Sequence, residues 1–117
     1  MPHVVLNGNV NIDDILKKFN SILIRDEYGI LKTDDIYINR DKTAILIESI
    51  AIEKGAKNSF LTMISRRDDG VVVRIYPILE VEKTNGVKKI LSEIAKQILK
   101  IFPQLTIGET NLLEYLK

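Results

Sequence analysis

Residues Thr43-Ala44-Ile45-Leu46-Ile47-Glu48-Ser49-Ile50-Ala51-Ile52-Glu53 form the stretch whose reading decides the fold. β-branched and aliphatic residues dominate it, which suits a pleated strand better than an exposed helix. Side chains of a strand alternate between two faces. Ile45, Ile47 and Ala51 therefore share one side, and Ala44, Leu46, Ile50 and Ile52 share the other. Both sides are apolar, so this strand asks for cover on two faces, whereas a sheet backed by helices needs only one.

The period-two pattern extends in both directions. Upstream, Ile30-Leu31-Lys32-Thr33 and Ile36-Tyr37-Ile38 read as strands, with Asp34-Asp35 and Asn39-Arg40-Asp41-Lys42 as turns. Downstream, Lys54-Gly55-Ala56-Lys57-Asn58 turns the chain into a strand from Ser59 to Arg66. There Phe60 and Ile64 oppose Leu61 and Met63. Arg67-Asp68-Asp69-Gly70 is a hairpin signal, and Val71 to about Val81 reads as the last long strand, with Pro77 marking an edge position or bulge. Together these form an antiparallel meander.

Two helices flank it. After a short strand at Val4-Val5-Leu6, Asn11 is a natural N-cap, with Asp13 and Asp14 in the first turn. Ile12, Ile15, Leu16 and Phe19 recur at helical spacing, which predicts a helix from about 12 to 23. Val87, Ile90, Leu91, Ile94, Ile98, Ile101 and Phe102 define a longer helix from about 86 to 102, stopped by Pro103. The tail, 103–117, is too apolar for disorder and predicts a short strand, then one or two helical turns from Thr110. The reading is one α+β domain over 1–117, with its core in about 3–102 and the order β-α-β-β-β-β-β-α plus tail.

Composition bounds the chemistry. The chain has 117 residues, 17 Lys+Arg against 16 Asp+Glu, one His and no Cys. The missing cysteines exclude a disulfide framework, a zinc ribbon and a thiol nucleophile. A net charge of +1 lacks the basic footprint of a dedicated duplex-DNA binder. No apolar run approaches the ~18 residues of a membrane span, and the N-terminus has no signal-peptide pattern, so a cytoplasmic protein is expected. Many Ile, Lys and Glu residues give a thermophile-like balance.

In element order the chain resembles the helix-grip fold of the START and Bet v 1-like families, and equally one repeat of a TATA-box-binding-protein-like domain. The resemblance covers roughly residues 3–102 and rests on topology alone. The first likeness implies a cavity for an apolar ligand between sheet and long helix. The second implies a concave sheet face that meets nucleic acid or protein. Fold does not fix function.

Few side chains suggest chemistry. His3 is the single imidazole and lies near the start of the chain, where no orienting partner is evident. The doublets Asp13-Asp14, Asp34-Asp35 and Asp68-Asp69 do not have the spacing of a calcium loop and suit helix starts and turns. No metal site, cofactor or catalytic residue is therefore assigned. Glu48 falls on the Leu46/Ile50 side of its strand, and Arg74 falls likewise with Val72 and Tyr76. If that side is interior, Glu48, Arg74 and Tyr76 form a polar cluster in a ligand cavity. If it is exterior, the two charges are solvated or cross-strand paired.

Arg66 and Arg67 at the hairpin, with Lys88, Lys89, Lys96 and Lys100 on the long helix, are the candidate nucleic-acid patch, though no aromatic interleaves them. Leu112, Tyr115 and Leu116 loosely resemble a sliding-clamp-binding peptide, with Glu109 in place of its glutamine and Leu116 in place of its last aromatic; otherwise they close the chain's own core.

Phosphate loops, dinucleotide fingerprints, nucleophile elbows and metalloprotease motifs are lacking, which disfavours an enzyme. The surplus of apolar strand surface favours a homo-oligomer, in the simplest case a dimer. The expected function is thus a non-enzymatic, self-associating binding module for a protein partner or small apolar ligand. Nucleic-acid binding is the alternative, and a carboxylate-dependent enzyme built on Glu48 the second.

Overall fold

A computed structural model of the chain describes residues 1–77 and 80–117. It contains strands β1 (His3–Asn7), β2 (Leu23–Asp26), β3 (Gly29–Ile38), β4 (Ala44–Glu53), β5 (Ala56–Arg67), β6 (Gly70–Ile75) and β7 (Thr106–Thr110). Helices α1 (Ile12–Lys18) and α2 (Asn85–Ile101) and a final 3-10 turn at Leu113–Tyr115 complete it. The strands form one antiparallel sheet in the order β2-β3-β4-β5-β6-β1-β7, with β5 at its centre. The α+β class and the long C-terminal helix are as the sequence predicts; the sheet has seven strands instead of five or six.

Both helices pack on one face. Ile12 and Ile15 of α1 and Val87, Ile90, Leu91, Ile94 and Ile98 of α2 share a single core with Val4, Leu6, Ile45, Ile47, Ile64, Val71 and Val73. A fully buried aliphatic side chain contributes roughly 1.5–3 kcal/mol, so the five α2 residues alone contribute on the order of 10 kcal/mol, set against the entropy of ordering the helix. Ser49 and Thr62 are buried on the same face and satisfy each other through a 2.8 Å hydroxyl contact.

The boundaries that differ from expectation do so for visible reasons. Helix α1 ends at Lys18, not near 23. The main chain of Asn20 is captured by Gln97 of α2, whose amide makes bonds of 2.7 and 2.9 Å, and Ile22 pairs with Thr33. Those tertiary bonds turn the chain toward the sheet at Ile22, and β2 begins at Leu23. Asp34-Asp35 is a bulge inside one continuous β3, not a turn between two strands. The Lys54-Gly55 turn is tighter than expected, with φ of +50° and +81°, the two-residue geometry that matches strand twist. Strand β6 stops at Ile75; Tyr76 makes one more bond, to the Leu61 carbonyl, and Pro77 follows without an N–H to give. Ile78 and Leu79 of the expected longer strand lie outside the described residues.

The tail forms the predicted strand and helical turn. β7 adds to the outer edge of β1, and Leu112 then enters the core at 2% exposure. Among the described residues, no helix is long and apolar enough to cross a membrane.

Candidate functional site: the open face of the sheet

The sheet's second face carries no helix among the described residues. Register shows what lies on it. Tyr37, Leu46, Met63, Arg74 and His3 form one row across β3, β4, β5, β6 and β1. The flanking rows are Ala44-Ser65-Val72-Val5 on one side and Glu48-Leu61 on the other, the latter continued by Tyr76. Beyond these come Lys32-Ile50-Ser59 and Ile30-Ile52-Lys57. Leu46, Ile50, Ile52, Leu61 and Val72 are half-buried, shielded only by their neighbours on the face. Val5 and Met63 are 5% and 9% exposed yet stand outside the helix-backed core.

Glu48, Arg74 and Tyr76 are all on this open face, as alternation groups them, and not under α2. Glu48 and Arg74 do not pair. The Glu48 carboxylate accepts from the Tyr37 hydroxyl at 3.0 Å and from the Asp35 N–H at 3.3 Å, and no cation lies within 4 Å among the described residues. Among the described residues Arg74 likewise has no carboxylate within that distance, and its Nε is buried without an acceptor.

Each charge borders a hollow of its own. Glu48 lines one of about 580 Å³ with Lys32, Asp34 and Asp35. Arg74 lines one of about 380 Å³ with His3, Arg67, Val72 and Glu109. Carboxylates thus outnumber cations on the β3–β4 side, where Lys32 stands among Asp34, Asp35 and Glu48, and arginines outnumber the one carboxylate, Glu109, on the β6–β1 side.

Tyr37 reports on the acidic side. Its hydroxyl pKa is raised, first by the hydrogen bond it donates to Glu48, then by slight desolvation and the charges of Glu48 and Asp35. A raised acid favours the neutral phenol in the folded protein. The contact therefore contributes in full below the ordinary tyrosine pKa and is lost as pH rises through the raised value. In Glu48→Ala, the Tyr37 ring signals are expected to titrate at lower pH than in the parent by NMR. An unchanged midpoint would show that the bond does not form in solution.

The other candidate residues are dispersed. Arg67 lines the open face, whereas α2, with Lys88, Lys89, Lys96 and Lys100, covers the opposite one. Lys89 and Lys96 are both within 4 Å of Glu93, and Arg66 and Arg67 border Asp68 and Asp69 in a third hollow. These cations do not form one continuous surface. In the tail, Leu112 is in the core, Leu116 packs against it, and the Tyr115 hydroxyl donates to Asn85 at 2.9 Å. Burial also raises the Tyr115 pKa. The tail closes the chain's own fold.

One site was not anticipated. Glu53, at the end of β4, caps α2: its carboxylate accepts from the Gly86 N–H at 2.8 Å and from the Thr84 hydroxyl. It also borders a shallow hollow of about 730 Å³ with Tyr28, Lys83 and Asn85.

Comparison with protein-family models, curated proteins and solved structures finds no match. The likeness to helix-grip and TATA-box-binding-protein-like domains remains one of element order, and the β7 strand falls outside it.

Proposed function

We propose that the protein is a self-associating binding module whose contact surface is the open face of the sheet. The observation that carries this reading is the apolar row structure of that face. Leu46, Ile50, Ile52, Leu61, Met63 and Val72 sit on adjacent strands with no helix over them. Contiguous apolar patches beyond a few hundred Å² are uncommon on monomers and mark contact sites. The occupant the face suits best is a second copy, because a sheet packs well on a sheet at about 10 Å separation.

Sedimentation equilibrium tests it. A dimer of the 13.3 kDa chain is expected. Leu61→Asp, which puts a charge at the centre of the face, is expected to weaken association by about tenfold or more while leaving the far-UV spectrum unchanged. A parent protein that sediments as a monomer at about 100 μM would remove the reading, since working interfaces of this kind hold well below that concentration.

A further inference from the structure

We infer that the second copy docks with its two-fold axis running along β5, so that Glu48 of each chain meets Arg74 of the other. The inference rests on the self-association proposed above and adds its orientation and its polar contact. β5 is the central strand of seven, with β4 and β3 on one side and β6 and β1 on the other. Acidic groups of the open face lie on the first side, at Asp35 and Glu48. The second side carries Arg74, with Arg67 at the end of β5 beside it, against one carboxylate, Glu109, which lies 3.7 Å from His3; the two arginines outnumber it.

Two copies stacked face to face have two simple ways of satisfying two-fold symmetry. With the axis across the strands, β4 lies on β4 and β6 on β6, so like charge meets like charge. With the axis along β5, β4 of one copy lies on β6 of the other, and each acidic side meets a basic side. In a two-fold interface a contact made once is made twice. An axis along β5 keeps each residue's position along the strands, so Glu48 of one copy stands over Tyr76 of the other, one row or about 7 Å from Arg74. That gap is within the length of an arginine side chain, so the second arrangement allows two Glu48–Arg74 contacts and the first allows none.

The side chains carry the same message. Among the described residues Arg74 has a buried Nε with no acceptor and no carboxylate within 4 Å, the Glu109 carboxylate of the same hollow lying by His3 instead. A buried donor without a partner is costly, and a guanidinium is best satisfied by a planar carboxylate. Glu48 is bonded to Tyr37 and Asp35 of its own chain, and among the described residues no cation lies within 4 Å of it, although Lys32 lines the same hollow. The hollow of about 380 Å³ beside Arg74, lined by Val5, Val72 and, at its His3 end, Glu109, has room for a second carboxylate side chain. The apolar residues between the two charges, Leu61 and Met63, then lie on the axis and pack against their own symmetry mates.

The test mixes two charge-reversed chains. Glu48→Arg alone and Arg74→Glu alone each set like charges together twice, and each is expected to weaken the dimer by about a hundredfold. An equimolar mixture of the two variants restores both contacts, one in each sense. A heterodimer is therefore expected in native mass spectra at concentrations where neither variant pairs with itself. A contact within one chain would not be rescued by mixing. Thermal melts establish that each variant is folded; should Arg74→Glu fail to fold, Glu48→Gln, which keeps the shape and removes the charge, and Arg74→Gln, a shorter neutral side chain, are each expected to weaken the dimer about tenfold.

A parent protein that is monomeric, with or without a retained small carboxylate, overturns the self-association reading itself. A dimeric parent whose charge variants pair as tightly as before overturns only the orientation. A mixture that stays monomeric while each variant is folded also overturns the orientation.

Discussion

Gly70→Ala is expected to destabilise the protein by about 3 kcal/mol or more and to lower its melting temperature by roughly 10 °C or more. Gly70 opens β6 directly after the Asp68-Asp69 turn, paired with Arg67 on one side and with Asn7 of β1 on the other. Its φ is +129°, a region that L side chains rarely adopt. A Cβ there would stand 1.9 Å from the Leu6 carbonyl oxygen and 3.0 Å from the Asn7 Cα. Both are backbone atoms of β1, so no rotamer change relieves the clash. The strand itself must move, and β1 holds β6 on one edge and β7 on the other.

Gly55→Ala is the control. Gly55 also has a positive φ, +81°, but open space around its Cβ position, so strain acts there without a clash and about 1 kcal/mol is expected. Denaturant midpoints of the two variants measure the difference. Equal midpoints would mean that the close approach of β1 to the hairpin is not present in solution.

The Gly70 hairpin was legible because a turn needs a local residue type, and Asp-Asp-Gly supplies it. The meander and α2 were legible for the same reason: periodicity is a local signal. The misreadings arose where distant residues decide local structure. Ile22 continues the helical spacing of α1, yet Gln97 and Thr33 draw this segment away. Asp34-Asp35 has turn composition, yet the strands on either side both pair with β4, so the two residues bulge.

Site legibility follows the same division. Alternation placed Glu48, Arg74 and Tyr76 on one face with Leu46 and Val72. It did not say which face α2 covers, because Ile45/Ile47 and Leu46/Ile50 are equally apolar. Burial separates them: Ile45 and Ile47 are fully buried under α2, and Leu46 and Ile50 are not. The opposition of an acidic and a basic side needs the strand order, which no local pattern encodes. Glu53 was missed because its partners at Thr84 and Gly86 are more than thirty positions away. The one trace in the sequence is that the first turn of α2 has no acid of its own.

That missing acid makes Glu53 the source of a second large effect. A helix begins with unpaired N–H groups and a partial positive charge, which a side-chain acceptor or a carboxylate stabilises. At α2 both come from a chain. Glu53 accepts from the Gly86 N–H and from Thr84, and the Thr84 hydroxyl in turn accepts from the Val87 N–H at 3.2 Å. Glu53→Ala removes the acceptor and leaves Thr84 to cap alone, at an expected cost of about 2 kcal/mol.

Gly86 is part of the same device. A Cβ at 86 would lie 2.5–2.8 Å from the Glu53 carboxylate atoms, so Gly86→Ala expels the carboxylate it was meant to accommodate. In the parent protein Gly86→Ala is therefore expected to destabilise, although alanine is the better helix former by about 1 kcal/mol. In the Glu53→Ala background the three atoms nearest to that Cβ are gone, and the same substitution is expected to stabilise by roughly 0.5–1 kcal/mol. The double-mutant cycle, read by urea unfolding, turns on that change of sign. If Gly86→Ala has the same sign in both backgrounds, Glu53 does not cap α2, and the helix start relies on Thr84 alone.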